Sequence, residues 1–168
     1  MFKSVNPKEI GESAIKLIGD DWMLIGAESG GKINAMTASW GGMGVMWGKP
    51  CVFVFIRPQR YTYEFVSKSD TFSISFFDEA QREALKICGS KSGRNCDKIA
   101  LAKLTPIVAD CGTPYFAEAR MSLICKKMYE GELSETGFID RTQIAKWYPQ
   151  KDFHRVFVAS IEAALVRQ

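Results

Sequence analysis

The stretch NAMTASWGGMGVMWGKP, residues 34–50, contains four glycines, two tryptophans and several small residues, but no acidic side chain. Its glycines make it a poor helix, and they are too many for an ordinary strand. Two interpretations fit. The segment is either a bulged strand and a glycine loop needed only for chain geometry, or a binding segment. In the second case its accessible N–H groups and hydroxyls would contact a planar ligand that carries carbonyl oxygens and ring nitrogens.

The composition is typical of one globular domain, residues 1–168. Apolar residues make up 46% of the chain, which is long enough to bury a core without disulfides or metals. The net charge of +3 gives no sign of nucleic-acid binding or of attraction to an anionic membrane. The first ten residues lack the apolar segment of a secretory signal, and the most apolar run, CVFVFI, is far too short to span a bilayer.

The cysteines also narrow the class of protein. They stand at positions 51, 88, 96, 111 and 125, an odd number with no C-x-x-C pair. This spacing argues against a disulfide framework and against a zinc or iron–sulfur site. We therefore expect no metal, reduced cysteines and a cytoplasmic location.

Hydrophobic patterning predicts a mainly β fold. Strand signals cover residues 22–28, 32–40, 51–57, 71–77, 119–129 and 155–165. Helix signals cover a segment capped by Asn6 and ended by Gly19, and residues 61–68, 78–89, 97–104 and 140–148. Six strands joined by short helices predict a β-barrel decorated by helices. Regular βαβ alternation and a G-x-G-x-x-G motif are both missing, which disfavours a doubly wound sheet.

A second notable segment is RPQRYTYEF, residues 57–65. Arg57 and Arg60 flank a turn before a helix, and Thr62 is a candidate N-cap. Free N–H groups at a helix start, together with guanidinium groups, favour phosphate. The alternative is a solvated turn whose arginines pair with Glu64 or a neighbouring acid.

The third segment, CGSKSGRNCDK, residues 88–98, is a polar connection between two predicted helices. Lys91 and Arg94 give it positive charge, so it can close over an anion. It can equally be an ordinary helix–helix loop.

Taken in order, these segments resemble the flavin reductase-like family, which includes the flavoredoxins. The resemblance rests on MTASWGG, GKP, FVFIRPQRYTYEF, FSISFF, CGSKSGR, DK and FHRVFVASI, and it covers roughly residues 20–162. It implies a six-stranded Greek-key split barrel, a homodimer, and FMN held non-covalently in a groove near the dimer interface.

The resemblance also implies the cofactor-binding residues. Contacts to the flavin ring would come from Thr37, Ala38, Ser39 and Trp40; contacts to the ribityl chain and phosphate from Arg57, Gln59, Arg60, Tyr61 and Thr62; and closure of the site from Lys91, Ser92 and Gly93. Trp47 would lie against either the ring or the partner subunit.

His154 is the only histidine and precedes the last predicted strand. It is either a catalytic residue near the flavin and incoming nicotinamide or a hydrogen-bonded histidine at a strand end. Trp22 and Trp147 are expected in the core or an interface.

The implied activity is that of an NAD(P)H-dependent flavin reductase, in which hydride passes from nicotinamide to flavin N5. One alternative is a non-enzymatic, flavoredoxin-like electron carrier that docks a redox protein. Another is a split-barrel protein that binds haem.

Overall fold

The computed structural model describes all 168 residues, Met1–Gln168, and is dominated by antiparallel strands. The strands are β1 (Phe2–Val5), β2 (Met23–Ser29), β3 (Lys32–Ala38), β4 (Gly41–Met46), β5 (Lys49–Ile56), β6 (Thr71–Phe76), β7 (Pro106–Val108), β8 (Pro114–Phe116), β9 (Met121–Glu132) and β10 (Arg155–Arg167). The α-helices are α1 (Tyr61–Lys68), α2 (Arg82–Ser90), α3 (Lys98–Leu101) and α4 (Thr142–Trp147). None of the helices has the length and apolar character needed to span a bilayer.

The mainly β prediction is confirmed, but the strand count is too low. All six predicted strands form, as β2, β3, β5, β6, β9 and β10. The main sheet also contains β1 and β4, and β7 and β8 form a separate two-stranded sheet. The additional strands are short or rich in glycine, so their sequences carry little of the alternation by which strands are recognised.

The order of strands explains why the sheet curls. Its path is β3-β2-β6-β9-β10-β5-β4, with β1 added to β10. The end strands β3 and β4 are consecutive in the chain, and only Ser39 and Trp40 join them. Such a link spans only roughly 10 Å, so the two ends of the path must approach each other and the sheet closes as a barrel. We call the line between β3 and β4, where no ladder pairing occurs, the seam.

Strand β4 corrects the expectation that residues 41–46 are too glycine-rich for a strand. Gly41 lies opposite Val54 in β5. A Cβ atom on Gly41 would stand 2.5 Å from the carbonyl oxygen of Phe53. Glycine at this position lets the β4 backbone approach β5 closely, beside the seam.

Two apolar clusters hold the molecule together, and the alternation of side chains along β2 separates them. Ile25 points into the barrel and packs with residues such as Phe72 and Phe157. Leu24 points outward and packs with Leu85 of α2 and other buried residues outside the barrel. The outer cluster therefore fixes α2 against β2 and β3, next to the seam.

The N-terminal helix prediction is wrong in extent. Asn6 does cap a helical turn, since its side chain accepts a hydrogen bond from the Lys8 N–H at 3.0 Å. That turn is a 3-10 helix, Pro7–Glu9, and a separate π-helical turn covers Lys16–Asp20. Between them, Glu12 pairs with Arg120 at 2.6 Å, so tertiary contacts rather than a continuous helix order this segment.

The close approach at Gly41 yields a stability prediction. Gly41→Ala should lower the free energy of unfolding by about 1–3 kcal/mol, because the new methyl group meets backbone that must shift. Gly44→Ala is the matched control in the same strand, since its Cβ would meet nothing closer than a Phe53 ring carbon at 3.8 Å. Urea unfolding monitored by tryptophan fluorescence measures both. Equal stability of the two variants would contradict the packing argument.

Candidate functional site

A cavity of about 240 Å³ opens at the seam. It is lined by Met36, Thr37, Ala38, Ser39, Trp40, Phe55, Arg57, Arg60, Trp147 and His154. The end of β3, the end of β5 with the turn after it, and the segment from α4 to β10 thus converge on one space. No carboxylate lines this seam cavity, so its polar character is that of donors and cations.

The edge of β3 supplies backbone donors. β3 pairs with β2 on one side only, so every second residue turns its N–H and C=O groups towards the seam. The Thr37 hydroxyl is not free, because it donates to the Leu85 carbonyl at 2.6 Å and thereby anchors α2. Ser39 has no hydrogen-bond partner for its hydroxyl within the protein, which leaves that group available to a ligand.

Arg57 is neutralised within the protein. Its guanidinium pairs with Asp152, donates to the Trp147 carbonyl at 2.8 Å and lies 5.1 Å from the centre of the Tyr148 ring. Gln59 donates to the same Asp152 carboxylate at 2.5 Å. Arg57 and Gln59 therefore hold the loop after α4 over the cavity, and their bonding capacity is used there rather than left free for a phosphate.

Arg60 carries a charge with no acidic partner. Its guanidinium donates to the carbonyls of Gly89 at 2.9 Å and Cys88 at 3.4 Å, at the end of α2. Lys98 donates to the same Cys88 carbonyl and to that of Lys91, both at 3.3 Å. Burial, and secondarily the charge of Arg60, lowers the pKa of Lys98 to about 8. Two cations thus meet at the end of α2, and each bonds only to neutral carbonyls.

A second cavity, of about 460 Å³, lies around Lys98. Tyr61, Gly93 and Arg94 contribute to its wall. A Cβ atom on Gly93 would lie 2.3 Å from the Asn34 side-chain oxygen, so glycine is needed where this loop packs on β3. The second cavity therefore lies on the same side of the barrel as the end of α2.

Thr62 does not cap α1, contrary to the sequence interpretation. The N-cap residue is Arg60, which makes no side-chain capping bond. The Thr62 side chain is buried and accepts a hydrogen bond from the Asn34 amide at 2.9 Å. The helix begins two residues earlier than a capping role for Thr62 allows, and the Thr62 hydroxyl joins α1 to β3 instead.

The other predicted site residues lie outside the seam cavity. The Ser92 hydroxyl accepts from the Arg94 N–H at 3.3 Å, and Lys91 contributes its carbonyl to Lys98. Trp47 is 60% exposed in the turn between β4 and β5, away from the cavity lining.

His154 is 8% exposed and lines the cavity beside Trp40, with ring centres 5.0 Å apart. Its Nδ1 atom lies 2.7 Å from the Tyr148 hydroxyl. Burial, together with the charge of Arg57, lowers the pKa of His154 to about 4, so the imidazole is neutral at physiological pH. Trp147, expected in the core or an interface, instead packs edge-to-face on Trp40 at the cavity wall, with ring centres 5.1 Å apart.

Comparison with known proteins assigns the family. A model of the flavin reductase like domain matches residues 18–168, most of the chain. The chain belongs to the flavin reductase-like family. This confirms the resemblance drawn from the sequence motifs, and it places the chain in a family of flavin-binding oxidoreductases. The curated proteins contain no match.

Solved structures confirm the split-barrel fold. An FMN-binding domain of a flavin reductase-like enzyme from Shewanella baltica OS155 is 21% identical, with a TM-score of 0.72 over 99% of this chain and 77% of that chain. Flavoredoxin of Desulfovibrio vulgaris (Miyazaki F) is 24% identical, with a TM-score of 0.69 over 88% and 69%. An NADH:FAD oxidoreductase of Streptomyces globisporus C-1027 is 16% identical, with a TM-score of 0.66 over 88% and 75%. At these identities the likeness shows the fold alone.

Sequence reasoning missed Lys98, Tyr148 and the place of Trp147. Lys98 follows Asp97, the N-cap of α3, whose side chain accepts from the Ala100 N–H at 3.0 Å, but nothing in the spacing shows that this lysine is buried. Tyr148 and Trp147 lie in a weakly patterned helix and loop. The one sequence signal for the contact between Tyr148 and His154 was a lone histidine six residues after a tyrosine. The conformation of the loop between the two residues decides whether they meet, and the sequence does not show it.

The buried neutral imidazole predicts a pH dependence of stability. Between about pH 6.5 and pH 4, His154 is protonated in the unfolded state but neutral in the folded state. The contribution of His154 to the free energy of unfolding is therefore complete above pH 6.5 and is lost as the pH falls. Between pH 7 and 5 we expect a loss of about 2 kcal/mol from this residue. His154→Gln keeps an acceptor for Tyr148 but cannot titrate, and should lack this part of the loss. Urea unfolding across this range would refute the argument if wild type and variant gave parallel profiles.

Proposed function

We propose that this protein binds FMN at the seam and uses NAD(P)H to reduce it, as a flavin reductase or a closely related oxidoreductase. The observation that carries the proposal is the convergence of the unpaired edge of β3 with Arg60 and His154 on one cavity, free of carboxylates. Family membership supports it, since the matched family is that of the flavin reductases.

The residues present fit FMN in both of its chemical parts. The flavin ring presents carbonyl oxygens and ring nitrogens, which the N–H groups of the β3 edge and the link after it can match. The phosphate would supply the anionic partner that Arg60 and Lys98 lack within the protein. Ligand pockets usually enclose about 300–1,000 Å³, which is more than the seam cavity offers by itself. The seam cavity would therefore hold the ring, and the phosphate end would extend towards the second cavity.

The protein's part in the reaction is binding, orientation and electrostatics. When bound, FMN supplies the hydride chemistry. The N–H groups of residues 37–40 would stabilise negative charge that develops at the carbonyl edge of the ring. Trp40 and Trp147 pack edge-to-face and form one wall of the cavity. Hydride transfer needs no general base, so a neutral His154 is compatible with the reaction.

The absorbance spectrum of the purified protein tests the cofactor. A flavin spectrum, with FMN identified after release, is the expected result; a Soret band would indicate haem and overturn the proposal. NADH or NADPH added without oxygen should then bleach the flavin band within seconds. A flavin that neither nucleotide reduces would favour the alternative of an electron carrier that docks a redox protein.

The phosphate assignment predicts a selective loss of affinity. Arg60→Ala and Lys98→Met should each weaken FMN binding by roughly 10- to 100-fold, because each removes a charge-assisted contact. Riboflavin, which lacks the phosphate, should bind the variants nearly as well as it binds the wild type. Quenching of flavin fluorescence measures both ligands.

Lys127→Met is the control for this comparison. Lys127 is also a partly buried lysine bonded to a backbone carbonyl, that of Ser67 at 2.9 Å, but it lines neither cavity. Circular dichroism melts should show all three variants folded. Equal losses for FMN and riboflavin would show that Arg60 and Lys98 do not bind the phosphate.

We also propose that two copies associate through the face that carries β4. β4 is an end strand of the sheet path, Val45 on it is 73% exposed, and the adjacent Trp47 is exposed as well. A groove of about 350 Å³ beside them is lined in part by Met43, Pro50 and Ile161. A second copy of the chain would cover this apolar surface.

Light scattering during gel filtration tests the association. The wild type should elute with the mass of a dimer. The Val45→Lys variant should elute closer to the mass of a monomer, because burying an unpaired charge in the interface carries a large desolvation penalty. Val108→Lys, on the separate β7–β8 sheet, is the control and should remain dimeric. A monomeric wild type, or a dimeric Val45→Lys, would contradict the proposed interface.

A further inference from the structure

The pair formed by Tyr148 and His154 has a role that the binding of FMN does not by itself require. The Tyr148 side chain is buried, and its hydroxyl has one hydrogen-bond partner, Nδ1 of His154. The other ring nitrogen of His154, Nε2, has no partner within the protein, although the residue lines the seam cavity. Nε2 is therefore the ring atom left for a ligand.

The single contact decides the tautomer. If His154 Nδ1 carried the hydrogen and donated it to Tyr148, the hydroxyl hydrogen of Tyr148 would be left buried without an acceptor. If Tyr148 donates to Nδ1, its hydrogen is satisfied, and only lone pairs of the phenol oxygen stay unused, which is the less costly arrangement. The imidazole then carries its one hydrogen on Nε2.

We infer that Tyr148 is a positioning residue that holds His154 as the Nε2–H tautomer, so that the imidazole presents a hydrogen-bond donor to a carbonyl oxygen of the ligand in the seam cavity. Two carbonyl sources fit this chemistry: the pyrimidine part of the flavin and the carboxamide of a nicotinamide. The choice between them rests on the proposed function; the tautomer does not.

The surroundings of Tyr148 are suited to such a role. Its ring packs against Phe138 and Phe153, with ring centres 5.8 Å and 5.0 Å away, and Arg57 covers it. These contacts fix the hydroxyl opposite Nδ1. A positioning role is favoured because the contacts orient the phenol without giving its hydroxyl another partner.

Burial, with a smaller effect of the nearby positive charge, keeps the imidazole neutral. Arg57 and Arg60 share the cavity with it, while Asp152 is paired to Arg57 and Gln59. Burial and the charge of Arg57 lower the pKa of His154, and Asp152 opposes this only in part. A neutral imidazole has one N–H, so the tautomer decides whether the cavity meets a donor or an acceptor.

The test uses the fact that His154 is the only histidine in the chain. Long-range ¹H–¹⁵N correlation spectra of protein labelled with ¹⁵N-histidine, recorded at pH 7, report the state of both ring nitrogens without assignment ambiguity. We expect a pyridine-type signal for Nδ1 and a pyrrole-type signal for Nε2. The reverse pattern, or averaged signals, in the wild type would overturn the inference whether or not any flavin binds.

Tyr148→Phe removes the donor and keeps the ring. Its two nitrogen signals should move towards each other as the second tautomer becomes populated. Tyr129→Phe, at an exposed tyrosine on β9, is the control and should leave both signals unchanged. If Tyr148→Phe keeps the wild-type signals, Tyr148 does not set the tautomer. The wild-type spectrum decides the tautomer even if this variant is unstable.

Two additions then identify the carbonyl. A downfield shift of the Nε2 proton on adding FMN would assign the contact to the flavin; a shift only on the further addition of NAD⁺ would assign it to the nicotinamide carboxamide. No shift in either step, in samples whose flavin spectrum shows that FMN is bound, would overturn the ligand contact and leave the proposed flavin binding intact. Failure of FMN to bind would instead count against the proposed function.

Discussion

The two-residue link between β3 and β4 is the constraint on which the site depends. It joins the opposite ends of a seven-strand path, so the sheet must close, although no ladder pairing forms between the two end strands. The result is a barrel with one unpaired seam. Exposed strand edges invite aggregation and are normally covered. Here α2 anchors on Thr37 and the loop after α4 lies across the seam, so the uncovered backbone groups face a cavity rather than bulk water.

Electrostatics divides the arginines of the turn after β5 into two roles. Arg57 is neutralised by Asp152 and fixes the loop that carries Trp147 and His154. Arg60 turns to the end of α2, where helix carbonyls carry partial negative charge and accept from it and from Lys98. Carbonyl dipoles offset part of the cost of burying these cations but leave their net charge in place. That remaining charge is what makes the end of α2 a place for an anion.

Short-range patterns predicted much of the fold, because strand alternation and helix signals are local. The α1 prediction, residues 61–68, matches the helix as observed, and the six strongest strands were all found. The predictions failed where a tertiary contact decides the outcome. β4 forms because Gly41 lets two backbones approach, and Thr62 bonds to Asn34 instead of capping a helix. No local pattern contains the partner residue in either case.

The candidate site shows the same division. The segment from Thr37 to Trp40, with Arg57, Arg60 and His154, was singled out from sequence, and these residues do line one cavity. Their separate roles required the structure, which shows that Asp152 neutralises Arg57 and that the buried Lys98 stands beside Arg60. A sequence gives the charge of each side chain but not the distance to its counter-charge, and that distance decides which arginine is free to bind.

Whether a group that faces the cavity belongs to the backbone or to a side chain also decides how the site tolerates substitutions. Donors along the β3 edge belong to the backbone, so they persist through any substitution that leaves the strand in place. The side-chain contacts are fewer and fall into two groups, cations at the end of α2 and the loop held by Arg57. Under the proposed function, such a fold can keep binding of the flavin ring constant while the loop after α4 varies. Under the proposed function, the loop that carries Trp147 and His154 is the part of the structure best placed to set which second molecule approaches the flavin.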